Sequence, residues 1–261
     1  MKEAVESILN QMYKDFELII INDGSTEMDG INWLKDCPDP RIRLIDNSHD
    51  FIKTLNKGIK VAKGKYIVRM DADDIMLPNR LQQQYEFMEN HIEVDVCGSW
   101  MEFFGTTNGT MTNPITHEQI IASMLSSNPL FHPTVIIRKK SLKEKGVSSY
   151  KEGYIYAEDY KLWTDMATKE YRFANIPEVL LKYRTSDKQV THLYKTEMLT
   201  SSIKIQHEYL EWVMEYVTEK KTEIEPILNT LIEAVNNEAL SIKNLTDIVY
   251  SIFLEMLQLE K

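Results

Sequence analysis

The sequence predicts an α/β fold, on three observations. Strand-like and helix-like patterns alternate through the first two-thirds of the chain, and apolar runs end in Gly- or Asp-containing turns. All nine glycines lie between Gly24 and Gly153, and beyond residue 190 there is no glycine and only one proline, Pro226. The alternation predicts a mostly parallel sheet with helices on both faces. The unpunctuated remainder predicts a C-terminal helical extension. The expected division is an α/β domain over residues 1–190 and a helical extension over 191–261, with the change of character at 186–198.

Each element has its own signal. Ala4, Ile8, Leu9 and Met12 recur at helical spacing. Residues 16–21 are an apolar run closed by Asn22-Asp23-Gly24-Ser25, the pattern of a buried strand entering a turn. Ile31 and Leu34 mark a short helix, and residues 41–45 the next strand. Leu55, Ile59 and Ala62 form one face of a helix stopped by Gly64; residues 66–70 are then a strand running into Asp71-Ala72-Asp73-Asp74. Further strands are expected at 95–98, 134–138, 171–176 and 179–183, and helices at 78–90, 117–125 and 158–169. In the tail, Ile242, Leu245, Ile248, Val249, Ile252, Phe253, Met256 and Leu257 make a wide apolar stripe. That stripe is expected to cover the α/β domain or a second copy in a homodimer. Peripheral attachment to a membrane is the alternative, but Asp247, Glu255 and Glu260 outnumber Lys243 and Lys261 beside it, the wrong balance for anionic lipid.

Composition narrows the function. Thirty Lys and Arg against 40 Asp and Glu give a net charge of −10, which disfavours a general nucleic-acid binder. Two cysteines, Cys37 and Cys97, make neither a disulfide framework nor a four-thiolate zinc site. The longest stretch free of charged residues, 119–137, is broken by Pro129 and Pro133, so no transmembrane segment is expected. No apolar segment follows the charges of Met1-Lys2-Glu3, so a cytoplasmic location is expected.

In open α/β sheets ligands sit at the carboxyl ends of strands, and two acidic clusters fall there: Asp23, and Asp71 with Asp73 and Asp74. Three carboxylates in four positions repel one another unless a cation sits among them, and hard ions such as Mg2+ or Mn2+ prefer such oxygens. The chemistry pointed to is a metal bridging carboxylates to a nucleotide diphosphate; a solvated acidic turn is the plain alternative.

Four ordered blocks carry a resemblance. Ile19 to Thr26, Asn56-Lys57-Gly58-Ile59, Ala62 to Ile67, and Met70 to Asp74 resemble the nucleotide-sugar half of family 2 glycosyltransferases. Phe131-His132-Pro133-Thr134 with Arg138, Ala157-Glu158-Asp159-Tyr160-Lys161-Leu162-Trp163, and Tyr183-Arg184 extend it over residues 3–190. The resemblance implies a GT-A fold and a hexosyltransferase-type enzyme using a nucleotide-activated sugar and a divalent metal. Carried over, Asp23 resembles the aspartate that hydrogen-bonds the nucleobase. Asp71 and Asp73 take the places of the Asp-x-Asp pair near ribose and metal, and Asp74 is a further metal ligand. Asp159 takes the place of the general base, with an acidic helix start as its alternative reading. Arg184 is placed on the diphosphate, or else is a strand-end charge. His132, Glu158 and Trp163 are placed on the acceptor side, with a packed His132 and a core Trp163 as their alternatives.

The resulting expectation is an inverting transfer from a UDP-sugar, with Mn2+ or Mg2+, to a saccharide or lipid-linked saccharide in surface-polysaccharide assembly. Family 2 members begin with an apolar strand and a Pro-x-Tyr-Asn-type loop before the helix matched by residues 3–12, whereas this sequence starts inside that helix. An N-terminally truncated chain, or a strand supplied by another segment, is therefore expected. A catalytically incomplete fragment that only binds sugar or a partner is the rival reading. A sugar-nucleotide pyrophosphorylase would need a Gly-rich phosphate loop near the front, which is absent.

Overall fold

The computed structural model describes residues 1–26, 28–186, 193–221 and 224–259. The chain opens on α1 (Lys2–Leu9), followed by β1 (Leu18–Asn22), α2 (Met28–Asp36) and β2 (Ile42–Asp46). β1 and β2 pair in parallel, from Leu18 opposite Ile42 to Asn22 opposite Asp46. Their apolar side chains meet a small core of Val5, Ile31 and Leu34. This two-stranded sheet is separate from the main one. α3 (Phe51–Val61) follows; the Asp50 carboxylate accepts from Lys53 N at 3.0 Å, satisfying one of the donors a helix start leaves open.

The main sheet contains β3 (Tyr66–Val68), β4 (Ile75–Met76), β5 (Val96–Gly105), β6 (Gly109–Met111), β7 (Ile136–Arg138) and β8 (Phe173–Thr185). Its order is β3-β7-β5-β8-β4, with β6 on β5. The expected α/β class holds, but the sheet is mixed. β1–β2 and β5–β8 are parallel; β3–β7, β4–β8, β5–β6 and β5–β7 are antiparallel. β7 runs against both of its neighbours, and β6 returns on β5 through a short turn, so neither needs the crossover helix a parallel neighbour demands. That turn begins at Gly105 (φ +109°), where a Cβ would meet Thr185 O at 2.4 Å.

The two strands expected at 171–176 and 179–183 are a single one. Pro177 and Glu178 are exposed, and the β5–β8 register steps from Ile176 to Val179 at Ser99/Trp100. Proline cannot donate to a ladder, and the bulge removes it from one.

Helices α4 (Arg80–Asn90), α5 (His117–Ser123), α6 (Lys139–Glu144) and α7 (Glu158–Ala167) flank the sheet, and a 3-10 turn spans His132–Thr134. The tail forms α8 (Lys195–Lys220), α9 (Glu225–Asn236) and α10 (Ile242–Leu259). One core joins them: Trp163, Met166, Tyr171 and Phe173 cluster with Ile205, Tyr209, Val213, Phe253 and Met256. The Tyr209 hydroxyl donates to Ile121 O at 3.0 Å and Gln206 Nε2 to Ser126 O at 2.8 Å. The apolar stripe of α10 is thus used within the chain, Leu245, Val249, Phe253 and Met256 being buried. The expected change of character at 186–198 falls partly on 187–192, outside the described residues. No described helix is long and apolar enough to cross a membrane.

Candidate active site

The acidic residues lie after β1, after β3 and at the start of α7, with Asp71 within electrostatic reach of Glu158. A cavity of about 800 Å³ opens beside the segments that follow β1 and β3, lined by Lys2, Ser25, Thr26, Asp29, Ala72 and Asp73 among others. Gly24 (φ +83°) turns the chain out of β1, and a Cβ at that position would sit 3.2 Å from the His49 Cβ.

Asp23 is held from the β2–α3 side. Its Oδ1 accepts from the Thr54 hydroxyl (2.6 Å), Asp50 N (2.9 Å) and Asn47 Nδ2 (3.4 Å). Burial opposes its charge, but these hydrogen bonds outweigh burial and hold its pKa below the usual value. Among the described residues nothing hydrogen-bonds its Oδ2.

In the turn after β3, both Arg69 terminal nitrogens meet both Asp71 oxygens, a fork-on-carboxylate pair. Asp73 is exposed beside the cavity, and desolvation followed by the Asp71 charge raises its pKa. Asp74, expected alongside Asp73 as a metal ligand, is placed otherwise. It has no exposed surface; its Oδ1 accepts from Arg184 N at 2.9 Å, and its Oδ2 is buried without a partner. Burial, reinforced by Asp71 and Asp73, pushes its pKa up to about 7. A carboxyl so enclosed anchors the turn to β8. Arg184 reaches the same turn: its Nε donates to Asp73 O at 2.8 Å, and it pairs with Glu3 at 2.5 Å.

Glu158 and Asp159 form the first turn of α7, where carboxylates suit the helix dipole. Asp159 Oδ2 accepts from Asn128 Nδ2 and its Oδ1 from Tyr160 N, both at 2.8 Å. Burial raises the Asp159 pKa while those bonds and the Arg69 charge oppose it. Glu158 is 8% exposed; burial and then the Asp159 charge push it up to about 7.

Two residues expected on the acceptor side are buried. His132 is buried: its Nε2 lies 2.8 Å from the Tyr150 hydroxyl, and Trp163 meets its ring edge-on at 6.2 Å. Burial keeps its imidazole neutral. Trp163 has no exposed surface and lies in the core beneath α7. Both side chains are packed in the interior, as their packing alternatives describe. Sequence reasoning missed Arg69, Thr54, Asn128 and Tyr150. Arg69 had a signal, a lone cation in Tyr66-Ile67-Val68-Arg69-Met70. Asn128 had none, since its partner lies 31 residues away.

Among the described residues no three His, Cys, Asp or Glu side chains come together as a metal-binding group. The exposed Asp73 carboxylate beside the cavity is nonetheless the kind of oxygen donor a hard divalent ion takes, its remaining ligands coming from a diphosphate and water.

Known proteins resemble this chain in sequence and in fold. The family model described as glycosyl transferase family 2 matches residues 1–146. An uncharacterized glycosyltransferase of Haemophilus influenzae is 32% identical over 269 residues, covering 97% of this chain and 81% of its own. The Escherichia coli UDP-Glc:alpha-D-GlcNAc-diphosphoundecaprenol beta-1,3-glucosyltransferase WfaP is 32% identical, covering 69% of this chain and 70% of its own. Among solved structures, S. aureus TarS 1-349 in complex with UDP-GlcNAc superposes with a TM-score of 0.62 at 19% identity, covering 97% of this chain and 84% of its own, a likeness of fold.

Proposed function

The chain belongs to glycosyl transferase family 2 and is a glycosyltransferase, and from that premise we propose an inverting, metal-assisted transfer from a UDP-sugar to a saccharide or lipid-linked saccharide hydroxyl. The observation that carries this reading is the placement of Asp159, oriented by Asn128 and Tyr160 N at the start of α7, within the electrostatic reach of Arg69, which grips Asp71. The UDP-GlcNAc complex of the TarS neighbour and the donor and acceptor in the WfaP name support the choice of substrates.

Each residue then has a part. Asp23 Oδ2 receives the nucleobase N–H, Asp71 holds the ribose, and Arg184 lies beside the diphosphate. Asp73, rather than Asp74, supplies the protein oxygen to Mn2+ or Mg2+. A bound divalent ion supplies positive charge where the departing diphosphate gains negative charge. Asp159 accepts the acceptor hydroxyl proton as that oxygen bonds to the anomeric carbon, and the bond from that carbon to the diphosphate breaks, its electron pair leaving with UDP. Glu158 faces the acceptor beside it.

The separate β1–β2 sheet favours a second reading, in which the chain binds donor without turning it over. Calorimetry and turnover decide between them. UDP binding that strengthens with Mn2+ and weakens in Asp73→Asn is expected; its absence refutes the donor site. Asp159→Asn should lower transfer by about 10²- to 10⁴-fold, the usual worth of a general base, with UDP affinity unchanged. Unaltered turnover would remove Asp159 from the role, and UDP binding without any turnover supports the second reading.

A further inference from the structure

We propose that Asn56 is a positioning residue that ties the donor site to the loop entering α7, so that a nucleotide held at Asp23 also orders that loop. This rests on the reading of Asp23 as the nucleotide's partner. At the donor end, Asp23 Oδ1 accepts from the Thr54 hydroxyl at 2.6 Å and from Asp50 N at 2.9 Å, which joins it to the N-cap and first turn of α3. Two residues along a helix, side chains stand about 200° apart around its axis. Asn56 therefore faces away from Thr54, and it reaches Tyr150, 94 residues further on. Its Nδ2 donates to Tyr150 O at 3.0 Å and its Oδ1 accepts from Tyr150 N at 2.7 Å. One side-chain amide thus satisfies both backbone groups of Tyr150, as a neighbouring strand would.

The loop so gripped has little structure of its own. No helix or strand lies within 145–157, Gly146 and Gly153 turn it at φ +80° and +87°, and among residues 146–153 Tyr150 alone is buried. The Tyr150 hydroxyl lies 2.8 Å from His132 Nε2, and His132 meets Trp163 of α7 edge-on. Four residues before His132 stands Asn128, whose Nδ2 holds Asp159 Oδ2 at 2.8 Å. Docked Tyr150 is therefore bonded to the segment that orients Asp159. Lys151 with Asp165, and Tyr154 with Glu208, hold the same loop to α7 and α8; Asn56 adds α3 to these supports. α3 itself buries no residue fully, and Ile52, Leu55 and Ile59 are only partly covered against the main core. A helix so lightly buried belongs to the less stable part of a fold, and a ligand that binds its ordered position stabilises whatever is docked on it. The element with two states is the loop, with Tyr150 either docked on Asn56 and His132 or released.

Hydrogen–deuterium exchange of peptides covering 146–157 tests this without an acceptor. The wild type and Asn56→Ala are compared free and saturated with UDP and Mn2+, binding being followed by calorimetry. UDP should slow exchange of 146–157 in the wild type. Free Asn56→Ala, lacking two hydrogen bonds, should exchange there about tenfold faster or more. In that variant UDP should still protect peptides covering 47–54 but no longer 146–157. A wild-type loop that UDP leaves unchanged overturns the proposal, which is also the result a merely structural Asn56 would give. UDP-induced protection of 146–157 that survives in Asn56→Ala overturns it too. Should Asn56→Ala not fold or not bind UDP, Asn56→Asp keeps the acceptor for Tyr150 N and loses the donor to Tyr150 O. Its UDP-induced protection should be smaller than the wild type's, and equal protection overturns the clamp. A wild type that binds no UDP refutes the donor reading together with this one, whereas UDP binding without loop protection refutes the clamp alone.

Discussion

Replacing Phe253 by alanine tests whether the helical tail and the α/β domain are one folding unit. Phe253 has no exposed surface and stands edge-on to Trp212 (6.3 Å, 87°) and Tyr216 (5.8 Å, 80°) of α8. It belongs to the same cluster as Trp163 and Phe173. Deleting a buried phenylalanine ring costs roughly 3–5 kcal/mol, because the cavity collapses only in part. Two aromatic neighbours that lose an edge-to-face partner put this site at about 4 kcal/mol, within that range. With a urea slope of about 3 kcal/mol/M, the midpoint should fall by more than about 1 M. Unfolding is followed by tryptophan fluorescence, which samples Trp33, Trp100 and Trp163 in the α/β domain and Trp212 in the tail, and by far-UV circular dichroism. A shared core requires both probes to shift together. Two separated transitions, of which the substitution moves only the tail's, would refute the shared core and restore an independent extension.

Three further outcomes follow from the site and its setting. Thr54→Val removes the 2.6 Å hydroxyl donor to Asp23; a lost charge-assisted bond of roughly 1.5 kcal/mol should weaken UDP binding about tenfold by calorimetry, and an unchanged affinity would detach Asp23 from the nucleobase. Glu158 has a folded pKa of about 7 against an ordinary 4.5, so the native state retains a proton that the unfolded chain has released between those values. Stability must then fall as pH rises from 4.5 to 7, by up to about 3 kcal/mol, and level off above. Glu158→Gln should flatten that slope in denaturation series; a slope that persists assigns the proton elsewhere. Finally, amides of β1 and β2, whose residues are half-buried over a core of only three buried side chains, should exchange hydrogen with less protection than those of β5 and β8. UDP should raise that protection, and equal protection without ligand would contradict the difference.

The positions of the two acidic clusters were legible because each ends an apolar strand, and strand ends are where α/β sheets bind ligands. Which carboxylate meets the cavity was not. Asp73 and Asp74 are adjacent in sequence, yet one is exposed and the other fixed to Arg184 N, a partner 110 residues away. His132 and Trp163 show the same limit from the other side: their residue types suggest chemistry, while their burial against Tyr150 and one another is a tertiary fact. Strand sense was illegible for a related reason. Alternating strands and helices suggest parallel neighbours only if successive strands lie side by side, and here β7 stands between β3 and β5. The stripe on α10 was plain from its spacing, but its partners on α5 and α8 had to be seen.

β8 explains how a site drawn from distant parts of the chain can keep its geometry. It pairs with β5 at ten positions and with β4 at two, and at its far end Arg184 holds both the Asp73 carbonyl and the Asp74 carboxyl. Its first residue, Phe173, enters the core that buries the inner face of α7. The acidic turn and the helix start bearing Asp159 are therefore referenced to one rigid strand, the condition for a base to stay aligned with a leaving group. Asp23 belongs to a different support, the small β1–β2 lobe, which is bound through Thr54, Asn47 and Asp50. On the roles proposed above, the nucleotide is met by the two-stranded lobe and the bond exchange by the strand with the longer pairing. Loosening the β1–β2 lobe should thus disturb donor affinity first, whereas damage to β8 should disturb the alignment of Asp159 with the acidic turn.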